Sequence, residues 1–150
     1  MKMIEGGVTA AQGFVAGGIH CGVRKNKSKP DLAMIYSEKP CAAAAVYTQN
    51  LVKGAPILVT QKNIADGAAK AVICNSGNAN TCNADGEEKA QTMCDLAAQA
   101  LGIEPQDVVV ASTGVIGQVL PMEPIQAGIP ELVKALSADG SHAAATAIMT

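Results

Sequence analysis

Aromatic residues are nearly absent from this chain, and tryptophan is absent altogether. The only aromatic rings are those of Phe14, Tyr36 and Tyr47, although 49% of the 150 residues are hydrophobic. So high a hydrophobic content excludes a disordered chain, and the length suffices for one domain with its own core. We therefore predict a single domain over residues 1–150, with an aliphatic core and closely stacked layers.

A strong charge of either sign is also lacking. The net charge is −2, and Arg24 is the single arginine. Surfaces that bind nucleic acid are basic and often carry aromatic rings, so we predict no nucleic-acid partner. The one basic cluster, at 24–29, is typical of a solvated hairpin tip, and an anion-binding patch is the alternative.

Metal-ligand clusters, disulfide patterns and long apolar runs are missing as well. The five cysteines form no Cys-x-x-Cys pair and are odd in number, which argues against a zinc site and a disulfide framework. We predict no metal and no cofactor, and structural roles for His20 and His142. No apolar run approaches the roughly 20 residues that span a bilayer, and no signal peptide is visible. These features predict a reduced, soluble protein of the cytoplasm with no membrane partner.

Short apolar runs predict a strand-rich first half. Glycines interrupt the first candidate strand at 13–23, and their spacing, with no helix following, excludes a dinucleotide-binding fingerprint. Further strands are predicted at 31–37, 42–48, 55–60 and 69–74. The alanine-rich run 42–48 could also be helical by propensity, and Pro56 suits the start of a strand or an edge strand.

Turn residues and then a helix follow the last of these strands. The segment 75–83 has the composition of a turn. Helical periodicity predicts a helix over 86–101 with one apolar face, Asp85 as its cap and Gly102 as its end. One face of this helix is therefore expected to pack on a sheet.

Another strand and two helices complete the predicted order. The continuous apolar run 108–111 is typical of a central strand, and it ends abruptly in Ser-Thr-Gly-Val-Ile-Gly at 112–117. Beyond Pro121 a helical pattern reaches Leu136, where Pro130 is predicted to kink or restart the helix. Ser141 can cap a last helix over 142–149.

Several segments, taken in order, resemble a known family. They are Gly-Val-Thr-Ala at 7–10 with Gly13 and Phe14, Asp-Leu-Ala-Met-Ile at 31–35, Asn-Ser-Gly-Asn-Ala-Asn at 75–80, 112–117 with Leu-Pro-Met at 120–122, and Ala-Ala-Ala-Thr-Ala-Ile-Met-Thr at 143–150. Together they resemble the ornithine acetyltransferase (glutamate N-acetyltransferase) family. Their order and spacing make the match specific, and it covers the amino-terminal part of that family's alpha chain.

The resemblance implies a fold and an activity. The fold is a layered α/β sandwich with sheets between helices, of the self-processing amino-terminal-nucleophile kind. The precursor cuts itself in two, and the new amino-terminal threonine of the beta chain carries acetyl from N-acetylornithine to glutamate. Some members also accept acetyl-CoA as a donor. That threonine is expected beyond Thr150, so residues 1–150 should be incomplete without the beta chain, in an assembly of two alpha and two beta chains.

The same resemblance assigns roles to three residues. Thr113 and Gly114 correspond to an oxyanion hole, in which a hydroxyl and a backbone amide bind the negative oxygen of the tetrahedral intermediate. Thr150 corresponds to a substrate-binding residue. Without the resemblance, Ser-Thr-Gly is a common turn and Thr150 an exposed terminal residue. The loop 75–80 could donate amides to a carboxylate or simply shape a tight turn.

Two other functions compete with acetyl transfer. Self-processing aminopeptidases look related in fold and hydrolyse peptides with an amino-terminal nucleophile. A non-catalytic binding module is the third possibility, suggested by the nucleophile being outside residues 1–150. The segment 112–117 with Leu-Pro-Met at 120–122 favours the acetyltransferase.

Overall fold

The computed structural model describes residues 5–150, and its centre is a four-stranded sheet. The strands are β1 (Phe14–Ile19), β2 (Leu32–Ala42), β3 (Ala68–Asn78) and β4 (Val108–Val115), which lie in the sheet in this order. The first three strands pair antiparallel, whereas β3 and β4 are parallel. The predicted mixed α/β class is confirmed.

Four helices cover the two faces of the sheet unequally. They are α1 (Ala55–Asn63), α2 (Gly86–Leu101), α3 (Met122–Lys134) and α4 (Ser141–Ile148). Of these helices within residues 5–150, α1 to α3 enclose the main core on one face, and α4 packs on the other against Ala16 and Ala33. Three short 3-10 helices lie at Gly7–Thr9, Ile64–Asp66 and Pro105–Asp107.

The core is aliphatic, as predicted. Its largest fully buried hydrophobic side chains are Leu32, Met34, Ile73, Met93, Leu120, Ile125, Ile129, Leu132 and Val108. On the α4 face, small side chains replace large ones, and the second cluster consists of Ala16, Ala33, Ala144 and Ala147. Small residues here let α4 approach closely: a Cβ at Gly18 would lie 2.2 Å from the carbonyl oxygen of Ala143.

The prediction of a strand at 55–60 is wrong, because this segment begins α1. Proline is tolerated in the first turn of a helix, where its missing N–H would have no intrahelical partner, and Pro56 lies there. Two polar residues of α1 bond to β4. The Thr60 hydroxyl donates to the carbonyl oxygen of Val110 at 2.9 Å and accepts from its amide at 3.1 Å, and Asn63 Nδ2 donates to the carbonyl oxygen of Val108 at 2.9 Å.

These contacts also correct the prediction that 108–111 is a central strand. Within residues 5–150, β4 lies at one edge of the sheet and pairs only with β3. Its outward backbone groups at Val108 and Val110 bond to α1 rather than to another strand. An edge strand covered by a helix is protected from pairing with other chains.

Other predicted boundaries differ in smaller ways. Only Ala42 of the run 42–48 lies in a strand, and 43–48 is neither strand nor helix. Strand β3 continues to Asn78, so the predicted turn at 75–83 starts as strand. Helix α3 runs unbroken through Pro130 and therefore does not restart there.

The predicted caps are only partly correct. Helix α2 has the predicted bounds, and Gly102 ends it with φ +68°. The Asp85 side chain does not cap α2; it pairs with Lys89 at 2.8 Å, and this hydrogen bond lowers the pKa of Asp85. Ser141 is the first residue of α4 rather than its cap, and its hydroxyl accepts a hydrogen bond from the Val8 amide at 3.1 Å.

Candidate functional site

Polar residues gather where β3 and β4 end. Because these strands are parallel and joined through α2, their carboxyl ends lie at the same edge of the sheet. Ser76 is paired in register with Thr113, and Gly77 with Gly114. The structure therefore brings the predicted oxyanion-hole residues next to the segment 75–80, which is distant in sequence.

Side-chain amides of β3 bond to β4 and to the turn that follows it. Asn75 Oδ1 accepts from the Ser112 hydroxyl at 2.6 Å, and Asn75 Nδ2 donates to the carbonyl oxygen of Asn78 at 2.9 Å. Asn78 Nδ2 reaches across to the carbonyl oxygen of Gln118 at 3.0 Å. Asn75 and Asn78 are buried, so their amides hold the strand ends and this turn together rather than face a ligand.

Asn80 extends the same network towards α2. It has φ +46° and is fully buried, and its Nδ2 donates to the carbonyl oxygen of Gly86 at 2.9 Å. Its backbone carbonyl oxygen accepts from the Ala55 amide at 3.1 Å. These contacts therefore favour a structural role for 75–80, shaping a tight turn, over the donation of amides to a carboxylate.

Two facing glycines let the strand ends approach each other. Gly77 has φ +96° and Gly114 has φ +135°, both in the region that favours glycine. A Cβ at Gly114 would lie 2.4 Å from the carbonyl carbon of Gly77 and 2.6 Å from the amide nitrogen of Asn78. No side chain fits there, and Gly114 is exposed at the surface.

Thr113 differs from its neighbour Ser112, whose hydroxyl bonds to Asn75. It is half-buried, and its hydroxyl makes no hydrogen bond within residues 5–150. Side chains alternate along a strand, so Thr113 lies on the same face of β4 as Val109 and Ala111. Ala111 lines the groove beside α4, so Thr113 is on the α4 face of the sheet.

The end of α4 is tied to these strand ends. The Ser76 hydroxyl donates to the carbonyl oxygen of Ala147 at 2.6 Å and accepts from Arg24 Nε at 3.0 Å. Arg24 Nη2 donates to the carbonyl oxygen of Met149. Exposed Thr150 follows directly, so the three predicted site residues lie at one end of the molecule.

Arg24 and Asp31 were not predicted as site residues. Asp31 is fully buried, and its carboxylate accepts the amides of Cys21 at 2.6 Å, Gly22 at 3.2 Å and Arg24 at 2.8 Å. These bonds shape the loop between β1 and β2. Its residues 25–29 are exposed, as predicted for a hairpin tip, whereas Arg24 turns back to the sheet. The one feature of the sequence that could have indicated a special role for Arg24 is that it is a single arginine among lysines.

Within residues 5–150, the titratable side chains do not suggest another reactive centre. Burial raises the pKa of Cys21 and Cys94 to about 12 and that of Cys74 to about 11, which makes these thiols poor nucleophiles. His20 bonds to the carbonyl oxygen of Lys29 at 3.0 Å, in keeping with a structural role. Residues 5–150 contain no group of three or more His, Cys, Asp and Glu side chains that could hold a metal ion.

The α4 face of the sheet carries an open apolar groove. It has a volume of about 380 Å³, and Ile35, Val72 and Ala111 line it together with Ala144 and Ile148 of α4. Ile35, Val72 and Val109 are paired in register and form a half-buried row across three strands. We call this row with the groove the open sheet face.

Comparison with solved structures identifies the class to which the fold belongs. The structure matches the arginine biosynthesis bifunctional protein ArgJ of Bacillus halodurans with a TM-score of 0.90 and 45% identity over 97% of this chain. It matches the ornithine acetyltransferase of Mycobacterium tuberculosis, solved with ornithine, with a TM-score of 0.92 and 40% identity over 96% of the chain. This is the fold of the ornithine acetyltransferases, and the resemblance seen in the sequence is confirmed.

The chain belongs to the ArgJ family, whose model matches residues 15–150. It is 50% identical over 152 residues to the arginine biosynthesis bifunctional protein ArgJ of Symbiobacterium thermophilum, and 51% identical over 151 residues to that of Gloeobacter violaceus. The matches cover 100% and 99% of this chain but 38% and 37% of those relatives. The chain thus spans little more than a third of the relatives' length. No helix within 5–150 is long and apolar enough to cross a membrane.

Proposed function

We propose that this chain supplies the oxyanion hole of an acetyltransferase that moves acetyl from N-acetylornithine to glutamate. The observation that carries the proposal is the Thr113 hydroxyl, which makes no hydrogen bond within residues 5–150 and lies beside Gly114, at the end of a strand held by α1 and by the asparagine network. Family membership and the ornithine bound by the Mycobacterium tuberculosis enzyme support the substrate class. Exposed Thr150 contacts the substrate.

The reaction proceeds in two successive acyl transfers. The amino-terminal threonine of the beta chain attacks the acetyl carbonyl of N-acetylornithine, ornithine leaves as the amine, and an acetyl-threonine ester remains. The amine of glutamate then attacks this ester and releases N-acetylglutamate and the free threonine. Each step develops an oxyanion, and one preorganised donor is worth roughly 3–4 kcal/mol in such a site. The chemistry requires no cofactor, and acetyl-CoA can replace N-acetylornithine as donor.

The open sheet face provides the surface for the beta chain. Apolar rows on a sheet normally pack on a second layer, and here α4 covers only part of that face. Our chain covers 38% of the Symbiobacterium relative but 76% of the solved Bacillus chain, as expected if a precursor becomes two chains. We propose that residues 1–150 are the amino-terminal part of the alpha chain, assembled as two alpha and two beta chains, with no nucleic-acid or membrane partner.

The activity is tested with the full-length precursor that carries this segment. Incubated with N-acetylornithine labelled in its acetyl group and with glutamate, the processed enzyme is expected to form labelled N-acetylglutamate. The same incubation without glutamate should leave the label on the beta chain as an ester of its first residue. Release of labelled acetate with no labelled N-acetylglutamate would point to a hydrolase instead.

The open sheet face is tested by placing a charge in its centre. In the full-length protein, Val72→Asp should prevent the two chains from co-purifying, because an unpaired carboxylate would be buried under the beta chain. The same change should make residues 1–150 expressed alone more soluble, since the face is then open to water. Val72→Ala, which removes apolar area without adding charge, should still give a complex. An intact complex in the Val72→Asp protein would exclude this face as the interface.

A further inference from the structure

We propose that Arg24 is a positioning residue that fixes the end of α4, and with it Thr150, against the strand ends that carry Thr113 and Gly114. The inference rests on the proposed function for its activity test, but its geometry is independent of that function. Arg24 Nε donates to the Ser76 hydroxyl at 3.0 Å, and Nη2 donates to the carbonyl oxygen of Met149. One guanidinium therefore joins β3 to the residue before Thr150.

Ser76 is the point at which these contacts meet. Its amide donates to the carbonyl oxygen of Asp31 at 2.9 Å, which anchors the loop that carries Arg24. Its hydroxyl donates to the carbonyl oxygen of Ala147 at 2.6 Å and accepts from Arg24. Because Ser76 is paired in register with Thr113, α4 is tied to the strand pair that positions the oxyanion hole.

The end of α4 needs such partners. The last carbonyl groups of a helix have no partner within the helix, and a cation near them is stabilising. Ser76 and Arg24 supply hydrogen bonds to the carbonyl oxygens of Ala147 and Met149. Without Arg24, Met149 would lose the hydrogen bond that links it, through the guanidinium and Ser76, to β3.

The site is built for an arginine rather than a lysine. Its planar fork can donate from Nε and Nη2 at once, whereas a lysine ammonium is a point charge on a flexible stem. The side chain crosses Gly77, where an added Cβ would lie 2.7 Å from Arg24 Cγ. Buried Asp31 holds the backbone of the loop, so Arg24 is already in place before substrate arrives.

In this arrangement, the substrate-binding residue Thr150 and the oxyanion-hole residues Thr113 and Gly114 are held in place by different contacts. Thr113 and Gly114 follow Ser112, which is held by Asn75 without any contribution from Arg24. Loss of Arg24 should therefore displace Thr150 but leave the oxyanion hole in place. We expect the substrate affinity to fall while the rate of the bound complex changes little.

Steady-state kinetics of the processed full-length enzyme test this separation. Arg24→Gln should raise KM for N-acetylornithine about tenfold or more, as expected for a lost hydrogen bond from a charged group, with kcat within about threefold. Arg24→Lys should recover only part of the loss, and added methylguanidinium should partly restore KM in Arg24→Ala. Lys27→Gln removes the same charge from the exposed part of the loop and should leave both constants unchanged. Equal effects of the Arg24 and Lys27 changes, or an unchanged KM in Arg24→Gln, would overturn the inference.

A second measurement does not depend on activity. Met149 donates its amide to the carbonyl oxygen of Thr146 at 3.3 Å, so its hydrogen exchange reports the order of this helix end. Exchange at 147–150 should be faster in Arg24→Gln than in the wild type and in Lys27→Gln. If the wild type transfers no acetyl, the proposed function fails while this comparison still decides the role of Arg24. Identical exchange in all three proteins would exclude the positioning role.

Discussion

Replacing Gly114 with alanine should destabilise the end of the sheet and abolish acetyl transfer. The new Cβ would lie 2.4 Å from the carbonyl carbon of Gly77 and 2.6 Å from the amide nitrogen of Asn78. Both atoms belong to the backbone of β3, so the clash is relieved only if the strand pair separates. Overpacking of this kind costs roughly 1–3 kcal/mol, and the forced φ of +135° adds roughly another 1–3 kcal/mol.

The measurement is the denaturant midpoint of the full-length protein together with the fraction of cut chain. Gly117→Ala is the matched control, because Gly117 lies in the same turn with φ +77° but has no atom within 4 Å of an added Cβ. It should lose only roughly 1–2 kcal/mol, the strain of an L-residue in the left-handed region, with no clash added. If both variants lose the same stability, the close approach of the strands at Gly114 is not the cause.

Local signals in the sequence predicted the order of helices and strands in the second half of the fold, although not their caps or the edge position of β4. Helix α2 has an acidic first turn, one apolar face and a glycine in the left-handed conformation at its end, all within a short window. Such features depend on neighbouring residues, so they can be identified before any tertiary contact is known. The strand–helix–strand order of β3, α2 and β4 followed from the same patterns.

The incorrect strand at 55–60 has a tertiary cause. Its apolar, β-branched residues suit a strand equally well, and periodicity alone does not separate the two states in a short run. What decides for a helix is packing on β4, where the side chains of Thr60 and Asn63 bond to its backbone. The same contacts make β4 an edge strand within residues 5–150, although its run of valines suggests a central one.

The candidate site likewise contains residues that local motifs could identify and one that only tertiary contacts reveal. Thr113, Gly114 and Thr150 could be proposed from short motifs, because each motif resembles one in a known family. Arg24 could not, since its partners Ser76 and Met149 are 52 and 125 residues away along the chain. The loop composition predicted an exposed tip, whereas the hydrogen bonds of Arg24 to buried Asp31 and to Ser76 turn its first residue inward.

Removal of the Thr113 hydroxyl should lower turnover by roughly 10²–10³, the usual effect of losing one donor from an oxyanion hole. Thr113→Val is the most informative variant, because it removes the hydroxyl but keeps the shape of the side chain and its preference for a strand. The hydroxyl bonds to none of residues 5–150, so little stability should be lost. KM should change little, because the negative charge exists only in the transition state.

The self-cleavage that we propose for the precursor should depend on the same hydroxyl. Attack by the downstream threonine on its preceding carbonyl also develops an oxyanion, and one hole can serve both reactions. Thr113→Val and Thr113→Ala should then accumulate uncut precursor, whereas Thr113→Ser keeps the hydroxyl and should retain most processing and turnover. Ser112→Ala is the control for the neighbouring position: its hydroxyl bonds to Asn75, so its loss should lower stability more than catalysis. Complete cleavage and unchanged turnover in Thr113→Val would make Thr113 an ordinary strand residue and remove the hydroxyl from the mechanism.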